Sequence, residues 1–164
     1  MQRQGANSGR PSPYVAVVGS SDATTEQISA AEQIGRGLAQ GGAVLVCGGG
    51  GGVMAAACRG ADSAGGLTIG LLPGDDRRAA NEWVGVALAT GLGELRNGLI
   101  VRVSDAVIAV GGEYGTLSEV ALALKASVPV VGLFSWEIRG VLAVQTPRAA
   151  VARALELANG RGRA

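Results

Sequence analysis

Between Asp105 and Thr116 the chain reads DAVIAVGGEYGT, a short apolar run that breaks into a glycine-rich turn, with an apolar pattern of helical spacing from Leu117 onward. The run Asp105–Val110 is rich in Val, Ile and Ala, short, and bounded by turn residues, so it reads as a buried strand. A strand that ends in glycine and hands over to a helix aims free N–H groups and the positive end of the helix dipole at whatever lies beyond it. An anion suits that place. Ahead of the strand, Glu94–Ser104 reads as another helix, on which Arg96 shares a stripe with Leu99, Ile100 and Val103. Solvation explains an arginine on an apolar stripe poorly. A carboxylate or phosphate partner explains it better.

The same rhythm recurs along the chain. Tyr14–Gly19 (YVAVVG) reads as a first strand and Ser20-Ser21-Asp22 as its turn. The helix Thr24–Gln40 follows, with Thr24 and Gln27 at capping-box spacing and Gly41-Gly42 as its stop. Ala43–Cys47 is a second strand, Val53–Ala64 a helix, and Leu67–Leu72 a third strand closed by Pro73-Gly74. After a polar loop, Asp75–Glu82, the segment Trp83–Ala89 reads as a short strand outside the regular pattern. Pro129–Phe134 is the last strand, and Pro147–Ala158 the closing helix, with Thr146 as cap and Pro147 at the first helical position. Alternating strands and helices predict an α/β fold: a Rossmann-like, doubly wound parallel sheet flanked by helices, with ligand at the carboxyl ends of the strands. Residues 13–160 form one domain in this reading, and the polar residues 1–12 a disordered leader.

Absent residues narrow the chemistry. The chain has no histidine, which removes histidine general bases, histidine triads and most zinc sites. Cys47 and Cys58 lack CxxC-type spacing and read as reduced, packed thiols; no metal site is expected. Net charge is +1 with no basic block interleaved with aromatics, which argues against a nucleic-acid partner. No apolar run has the length of a membrane span and no signal peptide is evident, so no membrane partner and a cytoplasmic location are expected.

Three glycine-rich turns fall at strand ends. Gly19-Ser20-Ser21 admits two readings, hydroxyl and backbone donors for a ligand or an ordinary helix entry. Gly48–Gly52 is five consecutive glycines, costly to order, and close approach of backbone to a ligand justifies that cost. Gly48, Gly49 and Gly52 are the expected contacts there. The third turn, Gly111–Thr116, combines with Arg96 and Glu119. By spacing alone, Thr116 and Glu119 also fit a capping box, which would leave the glutamate a purely structural task.

The full segment, Gly91–Lys125, resembles the signature of the LONELY GUY (LOG) family of cytokinin-activating phosphoribohydrolases, long labelled possible lysine decarboxylases. In that family an Arg-Lys pair precedes a strand and a P-G-G-x-G-T-x-x-E loop. Aligned on Gly115, Thr116 and Glu119, this chain has Arg96-Asn97 at the pair and Gly111-Gly112-Glu113-Tyr114-Gly115-Thr116 at the loop. Still more similar is a sister group of small Rossmann-like nucleotide-binding proteins that includes molybdenum-cofactor carriers, which shares L-R-N and G-G-x-Y-G-T-L-S-E. The similarity runs from about Val15 to Leu157.

The resemblance implies that Arg96 and Glu119 are catalytic, and that Gly111, Gly112, Gly115, Thr116 and Asn97 contact a phosphate or nucleotide. Two positions depart from the LOG pattern. Asn97 removes a charge near the expected phosphate, and Glu113 puts a carboxylate where the family has glycine. The implied activity is hydrolysis of a nucleoside 5′-monophosphate to free base and ribose 5-phosphate, with no cofactor required for catalysis. The alternative is a non-enzymatic carrier that holds the molybdenum cofactor as cargo. A pyridoxal-phosphate decarboxylase is rejected, because the only lysine is Lys125, in an apolar helix. Relatives dimerise through the helix Leu117–Ala126, whose apolar residues run nearly all round it, so a homodimer or higher homo-oligomer is expected.

Overall fold

A computed structural model describes residues 11–161. In chain order its elements are β1 (Tyr14–Gly19), α1 (Thr25–Gln40), β2 (Val44–Cys47), α2 (Val53–Ser63), β3 (Thr68–Leu72) and β4 (Val86–Ala89). There follow α3 (Arg96–Arg102), β5 (Ala106–Val110), α4 (Tyr114–Lys125), β6 (Val130–Leu133), β7 (Val141–Ala143) and α5 (Pro147–Arg161). Single-turn helices at Arg77–Ala79 and Gly93–Leu95 lead into β4 and α3. The expected leader falls largely on residues 1–10, outside the described residues.

All seven strands are parallel, in the order β4-β3-β2-β1-β5-β6-β7. The order reverses between β1 and β5, and a crevice opens at such a switch point beyond the strand ends. Alternate residues of β1 serve opposite faces: Val15 and Val17 join α1, α2 and α5 in one core, while Ala16 and Val18 join α3 and α4 in another. This is the period of two expected of a strand buried on both sides.

Local chemistry sets the helix ends. Thr24 and Gln27 close the expected capping box on α1, each side chain bonding the other's backbone N–H at 3.1 Å. Thr146 accepts from the N–H of Ala149 at 3.1 Å, as expected of a cap for α5. α1 and α2 meet almost backbone to backbone: a Cβ on Gly35 would strike the Ala57 carbonyl, and one on Gly60 the Glu32 carbonyl. No side chain fits in either place.

Three expectations are corrected. Trp83–Ala89 does not lie outside the pattern: Val86–Ala89 is the parallel edge strand β4, in register with Ile69–Leu72. β7 is a short second edge that sequence reading did not find. α4 starts at Tyr114, not Leu117, so Gly115 and Thr116 sit in its first turn.

Candidate functional site

The early start of α4 changes what Glu119 can do. Thr116 is the third residue of the helix rather than its cap, Glu113 occupies the cap position, and no side chain caps this end. The capping-box reading of Glu119 therefore fails. The residue instead turns inward, 6% exposed, against a cavity of about 300 Å³ at the β1/β5 switch point.

Arg96, the first residue of α3, meets it there. Its Nη1 lies 3.9 Å from Glu119 Oε1, a long ion pair, and donates to Asn97 Oδ1 at 2.9 Å. Arg96 Nε is buried and has no acceptor among the described residues. The apolar stripe read from the sequence splits in the fold. Ile100 is buried, whereas Leu99 and Val103 face out. The arginine belongs to the inward side, as its expected carboxylate or phosphate partner requires. Burial pushes the Glu119 carboxyl up to about 7, and the nearby Arg96 charge pulls it back only in part.

The cavity also collects Gly19, Ser20, Gly48, Asn97, Gly115 and Thr116 from the sequence-derived set. Ser20 is buried and its Oγ accepts from the N–H of Asp22 at 2.9 Å, which fixes the turn after β1. Gly48 is a seat for Arg96: a Cβ there would come within 2.5 Å of Nη1 and 2.9 Å of Met54 Sδ. Asn97 spends both ends of its amide, accepting from Arg96 and donating to Ser118 Oγ at 3.2 Å.

Four glycines of that set do not line the cavity, and each has a packing reason for being glycine. Gly49 gives its N–H to Cys47 Sγ at 3.2 Å and backs onto Leu72. Gly52 has φ +59, and a Cβ on it would run into the Ser20 and Ser21 carbonyls. Next to it, Val53 N–H donates to the Ser20 carbonyl at 3.0 Å, tying the first two loops together. Gly111 lies against the Gln27 side chain and Gly112 against Thr116.

The cavity is also lined by Ser21, the last residue of the turn read as a possible donor, by Glu113, read as a departure from the LOG loop, and by Asp22 and Met54, which sequence reading did not assign. For Asp22 a signal existed, since the loop after β1 must flank the switch point. Met54 carries no local signal. The ionisable lining is one guanidinium against three carboxylates, Asp22, Glu113 and Glu119. An anion here would rely on backbone donors, and the uncapped start of α4 supplies them. Cys47 and Cys58 are free and buried just behind Gly48, with sulfurs 3.5 Å apart. Among the described residues, no His/Cys/Asp/Glu group could hold a metal, and no helix is long and apolar enough to cross a membrane.

Comparison with known proteins gives this geometry a family. An uncharacterized protein from Archaeoglobus fulgidus is 41% identical over 84% of this chain and 91% of its own length. A probable cytokinin riboside 5′-monophosphate phosphoribohydrolase, LOGL5 from Oryza sativa, is 38% identical over 55% of this chain, a stretch that spans only 38% of the rice protein. Among solved structures, the molybdenum cofactor binding protein of Rippkaea orientalis superposes with a TM-score of 0.83 at 38% identity, covering 87% of this chain and 95% of that one. The molybdenum cofactor carrier protein of Chlamydomonas reinhardtii gives 0.83 at 34%, covering 90% and 98%. The profile of the SLOG cluster4 family matches residues 12–158, so this LOG-like Rossmann chain belongs to the SLOG cluster4 family.

Proposed function

We infer that the cavity binds a nucleoside 5′-monophosphate and that Glu119 acts on its N-glycosidic bond. Glu119 carries the reading. It is a buried carboxyl brought up to about 7, inside a cavity, beside an arginine that does not neutralise it. A carboxyl held near neutrality exchanges protons readily at cellular pH, and groups perturbed in this way gather at working sites.

In this reading the ligand phosphate lies against the Gly115 and Thr116 N–H groups at the start of α4, with ribose toward Arg96 and Glu119. The C1′–N bond breaks and positive charge spreads onto the ribose ring oxygen, where ionised Glu119 stabilises it. Water adds to C1′ and gives a proton to Glu119, which releases it as the departing base takes one up, so the carboxylate is regenerated and no net proton is consumed. The products are free base and ribose 5-phosphate. Arg96 holds the glutamate and balances charge.

A second reading has its own support. The carrier and binding proteins named above match this chain over nearly their whole lengths, whereas the phosphoribohydrolase match is partial. In a carrier, the same donors would hold the phosphate of the molybdenum cofactor as cargo, without turnover.

Base release from a panel of nucleoside monophosphates, native protein against Glu119→Ala, separates the two. Release that vanishes in the variant supports hydrolysis. No release, with the nucleotides still raising thermal stability, makes carriage the account.

The proposal includes a homodimer through α3 and α4. Leu95 just before α3, Leu99 within it and Val103 just after it recur at every fourth residue, with Leu95 78% exposed, and Leu122 of α4 is also exposed. A single copy leaves this apolar surface in water, and a second copy would cover it.

A further inference from the structure

Arg96 stands between two acceptors and uses one. Its Nη1 donates to Asn97 Oδ1 at 2.9 Å, while Glu119 Oε1 at 3.9 Å is beyond hydrogen-bond range. We propose that Asn97 is a positioning residue: its carbonyl oxygen anchors Arg96 Nη1 where its remaining N–H groups stay out of hydrogen-bond reach of Glu119, and Ser118 locks Asn97 in the orientation that does so.

The direction of the chain of bonds is fixed at both ends. A guanidinium has only donors, so the Asn97 atom facing it must be the oxygen. At the other end, Ser118 spends its one hydrogen on the Gly115 carbonyl at 2.6 Å, so its Oγ can only accept from Asn97 Nδ2. Both partners dictate the same amide orientation, and no flip satisfies them as well. The relay runs from α3 to the first turn of α4, so the element that presents Gly115 to a ligand also anchors the residue that restrains Arg96.

The consequence falls on Glu119. A charge-assisted hydrogen bond from Arg96 would favour its ionised form strongly, whereas a guanidinium held off by Asn97 favours it only through space. The other charged or titratable groups around it are Asp22 from the loop after β1, Glu113 at the start of α4, and Cys47 at the end of β2. None of these donates a hydrogen bond to Glu119. The inference rests on Glu119 as the working group for its functional meaning, but its test needs no substrate and no turnover.

The test is the ionisation of Glu119 itself, followed by carbon-13 NMR of glutamate carboxyls in labelled, ligand-free protein, with the resonance assigned by its loss in Glu119→Gln. Asn97→Ala frees Arg96 to bond Glu119, and the titration midpoint should drop by one pH unit or more. Asn97→Asp keeps the acceptor and adds a negative charge, so its midpoint should equal or exceed that of the native protein. Ser118→Ala should fall between native and Asn97→Ala. A mere loosening of the site would hydrate Glu119 and lower the midpoint in both Asn97 variants. That result overturns the proposal, as does an Asn97→Ala midpoint that stays put or rises.

Discussion

Replacing Glu119 with glutamine should make the protein more stable at neutral pH and leave it nearly unchanged in acid. The carboxyl is raised from its ordinary 4.5 to about 7 by burial, so the fold resists its ionisation while the unfolded chain does not. Below about pH 4.5 both states hold the proton and the residue carries no penalty. Between 4.5 and 7 the unfolded chain releases the proton and the folded one keeps it, so stability falls as pH rises. Above 7 both are ionised and the loss is complete. The span, 7 minus 4.5, at about 1.4 kcal/mol per pH unit, amounts to about 3 kcal/mol. Glutamine has the shape of the protonated acid and no titration, so Glu119→Gln removes this loss. Urea unfolding of both proteins at intervals from pH 4 to 8 measures it as a stability difference opening from near zero to about 3 kcal/mol. In melting temperature that is roughly 6–12 °C for a chain of this size. A difference that stays flat across this range, or that closes as pH rises, refutes the reasoning.

Gly60→Ala should destabilise although it lies inside a helix, where alanine gains about 1 kcal/mol of propensity. The added Cβ would meet the Glu32 carbonyl, and overpacking against a backbone that cannot yield costs about 3 kcal/mol, for a net loss of about 2 kcal/mol. Gly98→Ala, in α3 with no atom near the added Cβ, should instead gain about 0.5–1 kcal/mol, so chemical denaturation of the pair should give opposite signs. Light scattering at micromolar concentration should give a dimer for the native chain and a monomer for Leu95→Lys combined with Leu99→Lys. A native monomer sinks the α3–α4 interface.

Much of the fold is legible because local signals agree with it: β-branched runs for β1, β2, β5 and β6, the Thr24–Gln27 box, and Pro147 after Thr146. The edges are not. β4 (VALA) and β7 (VLA) are apolar but short and half exposed on a free side, so sequence shows β4 as a strand without its place in the sheet, and three residues are too few to mark β7. The start of α4 was misplaced because Tyr114 and Gly115 look like turn residues, yet the helix recruits them. That error kept the capping-box reading of Glu119 alive. At the site, the Arg96–Glu119 pairing is legible through resemblance, and the two residues do come together. The glycines were harder to sort. A glycine that lets backbone approach a ligand and one that serves packing look identical in sequence; Gly52 approaches the backbone of Ser20 and Ser21, and Gly49, at φ +77°, backs onto the Leu72 side chain. Gly35 and Gly60, single glycines in helical patterns, gave no sign that they set the spacing of α1 and α2.

That spacing makes the cavity a vice with one fixed jaw. The loops after β1 and β2 are carried by two helices in backbone contact and bonded to each other through Val53 and Ser20. That side is braced by the helix pair behind it. The opposite jaw, α3 with the first turn of α4, is held together across its gap by the amide of Asn97 and the hydroxyl of Ser118. In the proposed function, a ligand would press on a braced wall on one side and on the Arg96–Glu119 pair on the other, where any change in their 3.9 Å separation would alter grip and proton affinity together.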